Sequence, residues 1–283
     1  MADDAEAFGT LVARVRETEF RRLGGELYLD HAGATLHSEA QLARVFDHLN
    51  STLTGNPHSQ SSSSMRASDT VAQARATVLR HFNTTAQTHD IVFTANASAA
   101  LKLVGECFPW SSGSEFAYTL QNHNSVLGVR EYATECGAEF VALDSTELRQ
   151  QLGPAESGVG SPPPQPEGEP EPEPEPSAKV HSLFAFPGEC NFSGQKLDLR
   201  LVEHFQRQRA RARGKGSGDV SWCVLLDAAK LAATSPLDLT ACTADFTCVS
   251  FYKMFGYPTG LGALIVRRSR SALLQRAYFA GEC

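Results

Sequence analysis

The sequence predicts an α/β fold, a mostly parallel sheet covered by helices, and three observations predict it. From residue 91 onward, short apolar runs of strand length alternate with longer helical stretches. The 283 residues are 42% hydrophobic and 20% charged, enough to bury a sizeable core and too apolar for wholesale disorder. Polar, chemistry-bearing side chains follow the ends of several predicted strands, where ligands bind in open α/β sheets.

The elements follow in order. Phe8, Leu11, Val12, Val15 and Phe20 recur at helical spacing with arginines between them, which predicts a helix over residues 5–22. Glu26–Asp30 reads as a short strand leading into His31-Ala32-Gly33-Ala34. Ser38 is placed to cap a helix through about Leu53, and Gly55-Asn56-Pro57 ends it. Another helix is expected from about Met65 to Phe82. Seven strands follow: Ile91–Thr94, Glu115–Leu120, Glu139–Leu143, Lys179–Phe186, Trp222–Leu226, Phe246–Phe251 and Gly262–Val266. Between them lie helices at about 97–107, 124–135 and 198–212.

One segment breaks this composition. Residues 153–177 contain Ser161-Pro162-Pro163-Pro164 and then alternate Glu with Pro. Proline removes amide donors and the glutamates repel one another, so the segment is expected to be a disordered, solvated insertion. Arg207–Gly218 is a second loop, and its Gly214-Lys215-Gly216-Ser217 lacks the spacing of a phosphate loop. The chain divides into an N-terminal helical arm and substrate-side segment, 1–65, and a large ligand-binding domain, 66–283.

Charge and cysteine usage narrow the class. A formal charge of −7 argues against a nucleic-acid binder, which needs a net basic face. No apolar run approaches a membrane span, and no secretory signal is readable after the acidic Met1–Glu6. Seven dispersed cysteines without a Cys-x-x-Cys pair fit a reducing, cytoplasmic setting and do not indicate zinc. Cys107, Cys223 and Cys248 sit in apolar segments and read as small core residues.

Five strand ends carry the candidate chemistry: Asn96-Ala97-Ser98, His123, Asn191, Asp227 and Tyr252-Lys253. Lys253 lies in an apolar setting, where burial favours the neutral, nucleophilic amine that attacks an aldehyde. Asp227, after Cys223-Val224-Leu225-Leu226, is placed to hold a pyridine nitrogen protonated and so make the ring an electron sink. Residues 96–98 offer a helix start, whose free amides and dipole favour a phosphate. Each residue alone has a plainer reading: a loop lysine, a helix-capping aspartate, an ordinary first-turn serine, a structural histidine. Their agreement across five strand ends is what points to a cofactor of the pyridoxal-phosphate kind.

These residues also match a family. Tyr28-Leu29-Asp30-His31-Ala32-Gly33-Ala34-Thr35, Gly55-Asn56-Pro57-His58-Ser59, Leu226-Asp227-Ala228-Ala229 and the run from Ser250 to Gly262 resemble class V pyridoxal-phosphate enzymes of the cysteine-desulfurase type. More narrowly, they resemble the N-terminal aminotransferase-like domain of the molybdenum cofactor sulfurases. The resemblance implies a type I pyridoxal-phosphate transferase fold, a homodimer in the full-length form, and an enzyme that takes sulfur from L-cysteine and leaves alanine. The sulfur is then passed to the molybdenum cofactor. It implies that Lys253 binds the cofactor covalently, that Asp227 meets the pyridine nitrogen, and that His123 stacks on the ring. Asn191 would approach the phenolic oxygen, and Ala97, Ser98 and Ser250 would hold the phosphate.

The sequence departs from the family pattern in three places. The phosphate turn, Gly-Ser-Thr in the family, is here Asn96-Ala97-Ser98. A position often occupied by glutamine is Lys230, whose amine either pairs with the phenolic oxygen or, the preferred reading, points to solvent. The chain ends at Cys283, before the small C-terminal subdomain and the molybdenum-cofactor-binding region, so complete sulfur transfer by these residues alone is not expected. Cys283 is a poor sulfur acceptor because nothing downstream positions it. The alternative is a non-catalytic interaction protein, or inactive short form, that keeps the fold.

Overall fold

A computed structural model describes residues 2–153, 180–207 and 220–276. The chain begins with α1 (Ala2–Glu19), a 3-10 turn (Arg21–Leu23), α2 (Glu39–Ser51) and α3 (Ser62–His81). Serines start the last two: Ser38 Oγ accepts from the Gln41 amide at 3.0 Å and Ser61 Oγ from the Ser64 amide at 3.3 Å, satisfying donors that the first helical turn leaves free. Strand and helix then alternate: β1 (His89–Thr94), α4 (Ala97–Cys107), β2 (Glu115–Thr119), α5 (Asn124–Leu127), α6 (Val129–Glu135), β3 (Glu139–Leu143) and α7 (Ser145–Leu152). After them come β4 (Val180–Pro187), α8 (Leu201–Arg207), β5 (Val220–Asp227), α9 (Leu231–Thr234), β6 (Phe246–Ser250), α10 (Phe251–Phe255), β7 (Gly262–Arg267) and α11 (Arg268–Ser271).

The strands form one seven-stranded sheet in the order β1-β7-β6-β5-β4-β2-β3. Every pairing is parallel except the two that β7 makes, with β1 and with β6. The parallel strands β2, β4, β5 and β6 therefore present their carboxyl ends along one rim.

The central strands are apolar on both faces because helices cover both, and the period-two alternation of side chains sorts them. Phe184, Phe186, Trp222, Val224 and Leu226 pack on one face with Leu79 of α3, Leu148 of α7 and Phe205 of α8. Leu183, Ala185, Cys223, Leu225 and Cys248 pack on the other with Leu101 and Val104 of α4 and Val129 of α6. Cys107, Cys223 and Cys248 are core residues, as the sequence predicts, and burial pushes the Cys223 thiol up to about 12. At the rim opposite the carboxyl ends, the fully buried Asp245 accepts hydrogen bonds from the Val224 amide (2.8 Å), Gln206 Nε2 (3.0 Å) and Arg270 Nε (3.0 Å). One carboxylate thus ties β5, α8 and the chain beyond β7 together without being left uncompensated.

All seven predicted strands of the sheet are present, within two residues at each end. Other expectations are corrected. Glu26–Asp30 is not a strand: no neighbouring strand pairs with it, Leu27 and Leu29 are 75% and 78% exposed, and Tyr28 Oη donates to Ala34 O at 2.6 Å, folding the segment into a loop. The helix expected over 124–135 is two, joined at Gly128. The helix expected over 198–212 begins at Leu201, because the Asp198 side chain takes the Arg200 amide in a turn. The stripe on α1 lies where the spacing puts it, yet Phe8, Leu11 and Val12 are largely exposed. Most of the Glu/Pro-rich insertion, the loop from 208 to 218, and Cys283 lie outside the described residues. No helix among the described residues is long and apolar enough to cross a membrane.

Two glycines let the N-terminal segment and β7 approach the rim. Gly256, at φ +78°, ends α10 where an added Cβ would lie 2.4 Å from both His37 N and Thr35 O. Gly262 opens β7 against the start of α4, where a Cβ would lie 2.7 Å from the Asn96 carbonyl carbon. Gly256→Ala is therefore expected to cost at least ~2 kcal/mol, read as a lower urea midpoint at unchanged slope. Gly9→Ala, in open space on α1, should be neutral or stabilising by up to ~1 kcal/mol.

Candidate active site

The carboxyl ends of β4, β5 and β6 meet the start of α4 around a cavity of about 330 Å³. Its walls are Asn96, Ala97, Ser98 and Leu101 from α4 and its cap; Gln121 and His123 beyond β2; Pro187, Glu189 and Asn191 beyond β4; Asp227, Ala229 and Lys230 beyond β5; and Tyr252, Lys253, Thr259 and Gly260 beyond β6. Six of the seven site residues expected from sequence therefore share one cavity: Lys253, Asp227, His123, Asn191, Ala97 and Ser98.

Lys253 stands on α10, the short helix that follows β6 directly. Its Nζ donates to Asn191 Oδ1 at 2.8 Å, and its backbone carbonyl accepts from Thr35 Oγ1 at 2.6 Å. Burial lowers the pKa of the amine, the Lys230 charge lowers it further, and Asp227 and Asp30 oppose both. Asp227 ends the fully buried run Cys223–Leu226 and is itself buried. Its Oδ1 accepts from the Ala229 amide at 3.0 Å, and Oδ2 carries no hydrogen bond among the described residues. Burial holds its carboxyl pKa above the ordinary range, against the Ala229 amide and the nearby Lys253 and His123. The site thus faces a buried anion lacking a close cationic partner.

The α4 end is built differently. Asn96 Oδ1 takes the Ala99 amide at 2.8 Å, which caps the helix and leaves the Ala97 and Ser98 amides outside the helical ladder. Ser98 Oγ lies 2.6 Å from Ser125 Oγ, which in turn lies 2.9 Å from His123 Nδ1. This chain of contacts, together with the Ser125 amide donating to Nδ1, fixes the exposed His123 ring at the mouth.

Ser250 is the exception among the expected residues. It is fully buried at the end of β6, does not line the cavity, and its Oγ has no hydrogen-bond partner among the described residues. Lys230 also departs from expectation. Its side chain is only 17% exposed and turns inward to Glu189 at 3.7 Å. Sequence reasoning missed Glu189 and Gln121; each follows a strand end, beyond β4 and β2, so the same rule that found Asn191 and His123 could have found them. Gln121 Oε1 is a further buried acceptor without a hydrogen-bond partner among the described residues.

Comparisons with known proteins place the chain in a family. The family model for aminotransferase class-V matches residues 27–157 and 215–283, more than half the chain, and the chain belongs to that family. The fold is that of the Escherichia coli cysteine desulfurase CsdA, with a TM-score of 0.66 at 22% identity over 95% of this chain and 61% of that one. Within the family, the chain is similar to molybdenum cofactor sulfurases. It is 47% identical to that of Solanum lycopersicum over 278 residues and 48% identical to that of Oryza sativa subsp. japonica over 282, each match covering 95% of this chain and 34% of the relative. The chain spans about a third of the length of the curated relatives it matches.

Burying Asp227 with its pKa raised has a consequence for stability. The folded state binds a proton more readily than the unfolded chain, so this group costs stability above its native pKa and the cost vanishes as pH falls below the unfolded value. Asp227→Asn, without added ligand, is expected to raise the thermal unfolding midpoint at pH 7. The gain should narrow as the pH is lowered toward the carboxylate range; a destabilised variant at pH 7 would contradict this.

Proposed function

We propose that this cavity binds pyridoxal 5′-phosphate and acts in removing sulfur from L-cysteine, as the desulfurase half of a molybdenum cofactor sulfurase. The observation that carries the reading is the Lys253 amine, held 2.8 Å from Asn191 in the same cavity as a buried carboxylate without a close cation. A ring nitrogen that takes up a proton is the partner Asp227 lacks. The free amides of Ala97 and Ser98 support a phosphate at the α4 end, with Asn96 replacing a hydroxyl of the usual turn by a side-chain cap. The residues present fit the group.

When bound, the cofactor supplies an electron sink for the charge released at the substrate α-carbon. Lys253 Nζ would hold the cofactor and would be the base placed for the α-proton of L-cysteine, its lowered pKa increasing the neutral fraction available at physiological pH. Asp227 would hold the ring nitrogen, His123 would lie against the ring, and Asn191 would orient the phenolic oxygen. The overall change consumes L-cysteine and an acceptor thiol and yields alanine and a persulfide. We assign the acceptor thiol, the onward transfer to the molybdenum cofactor and the dimeric state to the longer protein of which the relatives are examples. Residues 1–65 form the substrate-side segment, consistent with Thr35 bonding the Lys253 carbonyl and Gln41 Nε2 donating to Tyr257 O at 2.8 Å. The described cysteines are all free thiols, which supports a cytoplasmic location.

Added pyridoxal phosphate is expected to give a visible absorption band that survives desalting, and Lys253→Ala should abolish it. Retention of the band by the alanine variant, or its absence from the wild-type chain, would refute the assignment.

A further inference from the structure

Lys230 lies in the cavity wall where an ordinary surface lysine would face water. Its side chain is 17% exposed, and its carboxylate partner, Glu189, is 6% exposed and accepts a second contact from Thr234 Oγ1. The Lys230–Glu189 separation of 3.7 Å is beyond hydrogen-bond length, so the ammonium is anchored by charge and keeps its donors free. Burying such a pair costs several kcal/mol of desolvation for each ion, and its stabilising value is small, so the pair is poorly explained as a structural device. Both residues line the same cavity as Lys253, and neither is part of the role set proposed above.

We propose that Lys230, anchored by Glu189 in the wall of the cavity that Lys253 also lines, is a positioning residue of this site that disfavours a second cation there. This rests on the reading of Lys253 as the residue that attacks an aldehyde. The groups that face Lys253 decide the balance. Asp227 beyond β5 and Asp30 of the N-terminal loop favour its protonated form. Burial and Lys230 favour the neutral form, and Glu189 acts through Lys230. His123, at the start of α5, lines the same cavity and acts on Asp227. Without Lys230 only burial would oppose the two aspartates at Lys253, and the amine would stay charged to higher pH.

The test measures labelling of Lys253 with pyridoxal 5′-phosphate as a function of pH. The adduct is fixed with borohydride and quantified on the peptide containing residue 253. In the wild-type chain the labelling rate rises with pH to a plateau as the amine loses its proton. Lys230→Gln is expected to move the midpoint of that rise upward by about one pH unit. Lys230→Arg, which keeps the charge, should restore it close to the wild-type value. The double variant Lys230→Gln, Glu189→Gln removes the paired anion as well and should lie between the single glutamine variant and wild type, which also serves if the single variant does not fold. Coincident midpoints for wild type and either glutamine variant, or an arginine variant shifted as far as the glutamine one, would overturn the role. Failure of the wild-type chain to label at residue 253 would instead overturn the functional reading itself.

Discussion

A buried carboxylate organises this molecule. Asp227 ends a strand whose preceding residues, Cys223 to Leu226, are wholly inaccessible, so the charge has no route to water along its own backbone. A carboxylate in that position must be neutralised by a proton or by a cation. The chain supplies only partial compensation: one amide from Ala229 and the more distant charges of Lys253 and His123. Asp245, at the opposite rim, shows the contrast. It is also buried, yet two arginines, an amide and a glutamine answer it, and its role is to hold the sheet together.

The same sheet explains how distant residues reach Asp227. Parallel pairing of β2, β4, β5 and β6 aligns four carboxyl ends, and each delivers a polar residue to the rim as soon as the apolar run stops. The reversed strand β7 lets the chain return beneath α10, with Gly262 giving the clearance against α4 that any side chain would remove. Gly256 does the same above, where the Thr35–His37 segment closes over the lysine turn. The lysine is therefore positioned by tertiary contacts on both sides of a helix too short to hold itself.

Much of this was legible in the sequence because the relevant signals are local. Strands buried on both faces appear as unbroken apolar runs, and a parallel sheet dictates that function follows their ends, which located Lys253, Asp227, Asn191 and His123. What was not legible depends on partners far apart in the chain. Glu26–Asp30 carries an alternating pattern yet finds no neighbouring strand, so it remains a loop. Lys230 reads as a surface lysine until Glu189, 41 residues earlier, is seen to be buried beside it. Ser250 was assigned by resemblance alone, and its burial away from the cavity wall shows why spacing cannot specify which way a residue at the end of a strand turns.

The central claim is that Asp227 is matched by a protonated ring nitrogen, and the most direct measurement is nitrogen-15 magnetic resonance of ring-labelled pyridoxal phosphate bound to the chain. The account predicts a protonated nitrogen at neutral pH in the wild-type protein and an unprotonated one in Asp227→Asn. An unprotonated nitrogen in both would contradict it.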